Sequence, residues 1–179
     1  IRNLNNIPGI NAIAQLVEGD QLGETDVIIS ASNTKTLSTT SLLDNNGSRS
    51  SGYERLTNIL NFDSAFNKGE RFSITDVVSE GSHYYAGSLA MPVGYNGLTT
   101  TLRMSKMEYD LGAPFASTKP TGYSTEFFLG FNKELMVNPD KGLTSSLSFS
   151  RNDYVNNLNT GSNRNKDIIK TSSNLTFNN

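Results

Sequence analysis

The sequence predicts an all-β fold: a portion of an antiparallel transmembrane β-barrel, preceded by the end of a small α+β module. Three observations predict it. From Thr34 to Asn179 apolar and polar residues alternate in eight runs; tight and long connections alternate between the runs; and the polar positions are dominated by Ser, Thr and Asn. The clearest run, Tyr123 to Val137, sets Phe127, Leu129, Phe131, Leu135 and Val137 on one parity and Glu126, Gly130, Asn132 and Glu134 on the other, with Phe128 and Lys133 as exceptions. A period of two is the signature of a strand with one face in an apolar medium and one in a polar medium. A soluble sandwich would cover the apolar face with a second sheet. The runs instead approach the roughly nine to eleven residues of a tilted membrane strand, where globular strands have about five or six. Length therefore favours a one-layer membrane wall over a sandwich.

Taken in order, Ile1 to Asn6 reads as the last turn of a helix, stopped by Pro8-Gly9, because proline cannot continue the backbone ladder and glycine accepts the reversal. A strand follows in which Ile10, Ala12, Ala14 and Leu16 share a face, then a turn over Gly19 to Gly23 and a second strand through Val27-Ile28-Ile29. This module is too small to bury a core alone and reads as the tail of a longer one. Wall strands are expected near Lys35–Leu43, Gly52–Phe62, Glu70–Ser79, His83–Val93, Leu98–Leu111, Tyr123–Val137, Leu143–Val155 and Ile168–Asn178. Asp63 to Gly69, Gly94 to Gly97 and Asn138 to Gly142 carry the Gly, Asn and Pro of compact turns. Asp44 to Ser51, Gly81-Ser82, Gly112 to Gly122 and Asn156 to Asp167 lie opposite them, two of these being long loops. Short turns at one end and longer loops at the other are the habit of outer-membrane barrels. Seven tyrosines near strand ends, from Tyr53 to Tyr154, fit either interfacial belts or ordinary strand propensity.

Composition narrows the function classes. With 15 basic and 17 acidic residues scattered along 179, there is no cationic face for phosphates, so nucleic acid is not an expected partner. Absence of cysteine removes thiol chemistry, disulfides and Cys-rich zinc sites. No apolar run approaches the roughly twenty residues of a spanning helix, which leaves strands as the only route through a membrane.

Candidate chemistry is sparse. His83, the single histidine, stands beside Ser82 and near Asp76, but no nucleophile elbow frames the three, and it reads as a solvated residue at a strand tip. Asp44 to Gly52 is rich in side-chain oxygens, yet it has fewer carboxylates than calcium loops and no terminal Glu, so it reads as a hairpin loop. Arg55, Arg71, Arg103 and Arg151, with Glu54, Glu70, Glu108 and Glu126, are candidates for lining a wet lumen, and Arg103 and Lys106 straddle an apparent change of register. The expectation is a non-enzyme without catalytic residues, metal or cofactor.

Several short motifs, ordered along nearly the whole chain, carry a family likeness: Leu4-Asn5-Asn6-Ile7-Pro8-Gly9, Leu16-Val17-Glu18-Gly19, Gly23-Glu24-Thr25-Asp26-Val27, Asp44-Asn45-Asn46-Gly47-Ser48-Arg49-Ser50-Ser51-Gly52, and Gly122-Tyr123-Ser124 leading into Phe128-Leu129-Gly130. Together they resemble the two-partner secretion transporters of the outer membrane, the haemolysin-activator and filamentous-haemagglutinin transporter family of the Omp85 superfamily. The resemblance implies that residues 1–33 are the C-terminal part of a periplasmic POTRA domain. It also implies that residues 34–179 are the first eight strands of a sixteen-stranded barrel. The family's Val-Arg-Gly-Tyr signature is not in this sequence, which reads as a piece of a longer protein. The implied function is recognition and translocation of an unfolded, β-rich exoprotein of haemolysin or adhesin type across the bacterial outer membrane. The implied partners are that exoprotein and outer-membrane lipid, with no small-molecule substrate. Strand addition along Ile10 to Val17 makes Asn11, Ile13, Gln15 and Val17 the candidate exoprotein-binding residues. A passive porin and a soluble carbohydrate-binding sandwich are the alternatives; simple porins lack such an N-terminal module.

Overall fold

The structure is a computed structural model that describes residues 2–5, 7–21, 23–94, 96–115, 117–137, 142–158 and 163–178. Its elements are the helical turn α1 (Arg2–Asn5), a hairpin of β1 (Ile10–Glu18) and β2 (Thr25–Asn33), and eight further strands: β3 (Thr36–Asp44), β4 (Arg55–Asp63), β5 (Arg71–Ser79), β6 (Ser82–Val93), β7 (Leu98–Asp110), β8 (Thr121–Val137), β9 (Gly142–Asn157) and β10 (Asn163–Asn178). The eight pair only with their sequence neighbours, in the order β10-β9-β8-β7-β6-β5-β4-β3, and every pair is antiparallel. This up-and-down wall is not closed: β3 and β10 form its two edges.

The wall is one layer thick. Among the described residues Ala12, in the hairpin, is the one buried hydrophobic, while Phe127, Leu147 and Phe149 each keep two fifths or more of their surface open. A sandwich buries such side chains between two sheets. No second sheet faces this one among the described residues, so the sandwich alternative is set aside. No helix among the described residues is long and apolar enough to cross a membrane, which leaves strand crossing open.

Register sorts the side chains onto two faces. Leu102, Leu129 and Phe149 are cross-strand partners on the outer face, as are Met104 with Phe127 and Phe62 with Phe72. On the other face Ser88, Arg103, Phe128 and Ser150 form one row, and Ala90, Thr101, Gly130 and Ser148 the next. Inner residues are the less exposed: Glu126 and Phe128 are half-buried and Gly130 is buried, whereas their outward neighbour Phe127 is 44% exposed. Crowding of one face and splaying of the other is what curvature does to a single sheet. The apolar outer band slants across the cross-strand rows. On β4 and β5 it reaches Leu56 and Val78 beyond the row of Asn58 and Asp76, whereas on β7 and β9 it stops short of that row's Lys106 and Asp153. A level membrane band can cut the rows obliquely only if the strands are inclined, as they are in barrels.

Three sequence expectations are corrected. The long loop expected over Asn156–Asp167 is shortened at both ends, because β9 and β10 stay paired out to Asn157 and Asn163. β4 begins at Arg55 rather than Gly52, which forms an isolated bridge to Ser48 within the loop. β7 carries no register change, since Arg103 and Lys106 differ in parity and so face opposite ways. The irregularity instead lies in β8, between Glu134 and Met136, where Leu135 has no partner on β9 and the parity shifts. The expected turns over Gly94–Gly97 and Asn138–Gly142 fall partly outside the described residues, at 95 and at 138–141.

The hairpin joins the wall at its short-turn end. Ser64 is wholly buried and donates its hydroxyl to the carbonyl of Pro8 at 3.1 Å. Gly9 and Gly69 have positive φ, and a Cβ on Gly9 would meet Ser64 while one on Gly69 would meet Ile7. The linker Ile7-Pro8-Gly9 thus seats against the β4–β5 turn as closely as glycine permits. Glu70, 2% exposed, closes that turn by accepting the N–H groups of Phe66 and, at 3.0 Å, Lys68.

Candidate functional site

Two surfaces can engage a polypeptide: the inner face of the wall and the free edge of β1. The inner face is hydroxyl- and amide-rich, and three of its arginines are paired with carboxylates. Arg55 bonds Asp44 at 3.1 Å, Arg71 grips Asp63 through two nitrogens at 2.6 and 2.8 Å, and Arg103 bonds Glu126 at 2.9 Å. The Arg103 guanidinium also lies 4.7 Å from the centre of the Phe128 ring. That ring covers Gly130, where an added Cβ would meet it at 2.8 Å. Phe128, the exception to the alternation, is therefore an inward aromatic laid over a glycine, which restores the contact that the missing side chain forfeits.

The lumen candidates divide. Arg55, Arg71, Arg103 and Glu126 are on the inner face. Glu54 is in a loop and Glu70 in the β4–β5 turn, where burial raises its pKa but the N–H groups of Phe66, Lys68 and Glu70 itself, with the Lys68 charge, outweigh burial and leave it below 4.5. Arg151 and Glu108 face outward: Arg151 bonds Asp167 at 3.0 Å and Glu108 pairs with Lys106 at 2.5 Å. The inward partners Asp44 and Asp63 were not among the candidates, although each stands directly across from its arginine. Arg164, Lys166 and Lys170 share the inner face of β10, with Ile168 at the inner position between the two lysines.

His83 is exposed near a strand tip, within a strand rather than a loop. It is the second residue of β6, on the outer face, bonded to Asp76 at 2.6 Å. Its neighbour Ser82 necessarily points inward, where it meets Ser79 at 2.8 Å, so strand alternation holds the hydroxyl and the imidazole on opposite faces. The Asp44 carboxylate is engaged by Arg55 and, at 2.9 Å, by the N–H of Asn46, which gives its loop a structural use. The tyrosines divide as the histidine and serine do: Tyr85 and Tyr123 face out, while Tyr84, Tyr109 and Tyr154 face in, Tyr109 donating to Asn156. Of the five strand tyrosines only the outward pair is placed for an interfacial belt; Tyr53 is exposed in the β3–β4 loop and Tyr95 is outside the described residues.

The edge of β1 follows from the phase of its ladder. Thr34 N–H donates to Gly9 at 2.7 Å and Gly19 N–H to Glu24 at 3.1 Å, at the two ends of the β1–β2 pairing. Hydrogen-bonded pairs alternate along an antiparallel ladder. Asn11, Ile13, Gln15 and Val17 therefore turn their main-chain groups to β2, and Ile10, Ala12, Ala14, Leu16 and Glu18 turn theirs outward. The four candidate residues contribute side chains on one side of the hairpin, with Ile13 57% exposed, while the outward hydrogen-bonding groups belong to their neighbours. Among the described residues β1 and β2 pair only with each other.

Comparisons with known proteins agree with this geometry. The family model "Haemolysin secretion/activation protein ShlB/FhaC/HecB" matches residues 23–172. Among solved structures the chain is similar to CdiB from Escherichia coli, with a TM-score of 0.81 at 17% identity, covering 98% of this chain and 34% of that one. It is also similar to CdiB from Acinetobacter baumannii, with a TM-score of 0.63 at 15% identity and the same coverages, 98% and 34%. The chain thus spans about a third of the length of these solved relatives. A search of curated proteins finds no match. With most of its length matched by that model, the chain belongs to the haemolysin secretion/activation family ShlB/FhaC/HecB.

Proposed function

We propose that the protein is an outer-membrane transporter that recognises an unfolded, β-rich exoprotein of haemolysin or adhesin type and conducts it across the membrane. One observation carries this reading: a one-layer wall, polar inside and apolar outside, is joined at its short-turn end to a hairpin with an open strand edge. An unfolded chain carries unpaired N–H and C=O groups along its length, and an exposed edge satisfies them without demanding particular side chains. The hydroxyl- and amide-lined wall offers weak, replaceable hydrogen bonds to a chain in transit. Residues 1–33 serve as the C-terminal part of a periplasmic POTRA domain, and residues 34–179 as the first half of a barrel closed by further strands. Outer-membrane lipid covers the apolar face. The transporter works by binding and passage, with no catalytic group, nucleotide or cofactor.

The test is site-specific cross-linking in the full-length transporter during secretion, with photoreactive side chains at positions 11, 13, 15 and 17 of β1, on the inner face at 103 and 150, and on the outer face at 129 and 147. Adducts to the exoprotein from β1 and the inner face, and none from the outer face, are expected. Adducts confined to other surfaces remove the proposed site.

A further inference from the structure

We propose that Asn5 is a register stop: its side-chain amide occupies the Ala12 position on the free edge of β1 and confines an added strand to the stretch from Ala14 to Glu18. The inference rests on the strand-addition reading above. Asn5 Oδ1 accepts the Ala12 N–H at 2.6 Å and Asn5 Nδ2 donates to the Ala12 carbonyl at 3.0 Å. A carboxamide presents one acceptor and a donor in a plane, as a peptide group does. The two bonds therefore fill both main-chain groups that an incoming residue opposite Ala12 would need. One position further back, the Ile10 N–H is taken by the Ile7 carbonyl at 3.1 Å. Beyond the other end, Gly19 N–H is committed to Glu24. Ala14, Leu16 and Glu18 are left as the outward-facing residues without a protein partner among the described residues.

The blocked half and the open half differ in what lies beside them. Ala12 is 3% exposed beneath α1, whereas Leu16 is 74% exposed. A strand continuing past Ala14 would have to displace the Asn5 amide or leave its own N–H and C=O opposite Ala12 unpaired in a buried place, a cost that disfavours slippage. Edges that offer uniform pairing are prone to register slip, and a side-chain plug at one position gives the edge an end. The partner that fits is a short extended segment, about five residues long, with small or apolar side chains at alternate positions and no proline at those facing Ala14 and Leu16.

Hydrogen exchange at single-amide resolution on the full-length transporter in detergent tests this, with the synthetic peptide Thr-Val-Thr-Val-Thr-Val as probe. In the native protein, saturating peptide is expected to slow the Ala14 and Leu16 amides by about tenfold or more, while the Ala12 amide is equally slow with and without it. In Asn5→Ala the Ala12 amide should exchange quickly alone and become slow when peptide is added, as the strand extends into the vacated position. Asn5→Asp keeps the acceptor and should leave the Ala12 amide slow throughout. The Gly19 amide, bonded across the hairpin, reports that each variant remains folded. Protection at Ala14 and Leu16 without any peptide-dependent gain at Ala12 in Asn5→Ala overturns the register stop alone. No protection at Ala14 or Leu16 in the native protein at saturation overturns the strand-addition reading itself.

Discussion

Leu129→Arg in the full-length barrel is the sharpest test of which face meets lipid. On the outer face of β8, Leu129 stands midway between Thr125 and Lys133, which are eight residues apart. At about 3.3 Å per residue that interval is about 26 Å along the strand, and at a tilt of about 40° it is about 20 Å along the membrane normal, close to the apolar band of a bacterial barrel. Leu129 is therefore near the midplane, about 10 Å from either polar margin, with Leu102 and Phe149 as its cross-strand neighbours and no acceptor on either. An arginine there should cost about 2–4 kcal/mol, a shift of about 30- to 700-fold in the folding equilibrium. Ser146→Arg is the control. Ser146 lies on the inner face between Asn132 and Asn174, where an added guanidinium stays in a wet, polar setting and should cost about 0.5 kcal/mol or less. Urea titration of barrels refolded into lipid vesicles measures both. Equal losses, or the larger loss at Ser146, would refute the assignment of faces and with it the one-layer membrane wall.

Three further outcomes follow from the same geometry. Glu70→Gln removes the charge that caps the Phe66 and Lys68 N–H groups and should loosen the β4–β5 turn by about 1–3 kcal/mol. Because the folded pKa of Glu70 lies below 4.5, its contribution is fully present above that pH and fades as pH falls through the lowered value. The protection factor of the Phe66 amide, its exchange rate referred to the intrinsic rate at each pH, should therefore fall on acidification in the native protein, whereas this Glu70-dependent fall should be absent in the variant; a matching pH response in both would disprove it. On β1, Ala14→Pro removes an outward donor and should reduce exoprotein cross-linking while leaving the Gly19 amide protected, whereas Gln15→Pro removes a donor to β2 and should expose the hairpin. Unchanged cross-linking in Ala14→Pro would count against the edge. Finally, the isolated chain keeps unpaired edges at β3 and β10, which hydrocarbon does not tolerate, so planar bilayers should show no stable large conductance from it. A steady native-sized pore would contradict this.

The alternation in Tyr123–Val137 and Leu143–Val155 was legible because it is local: a residue and its second neighbour share a face whatever the rest of the chain does. For the same reason the helix stop before Pro8 and the turn over Asp63 to Gly69 could be read directly. The sequence by itself thus determined the strands, their order of hairpins and which parity was apolar. Tertiary structure decided what depends on the neighbouring strand. Only cross-strand register turns Phe128 into a cover for Gly130, sends Arg151 and Glu108 outward, and pairs Arg55 and Arg71 with Asp44 and Asp63. The long pairing of β9 with β10 across residues that looked like loop is of the same kind, since Asn, Arg and Lys have weak strand preference alone and are held by a partner already in place. The β1 edge shows the limit most plainly. Alternation shows which side chains share a face, but the direction of each N–H is set by which pairs in the β1–β2 ladder are hydrogen-bonded, and that phase exists only once two strands have met.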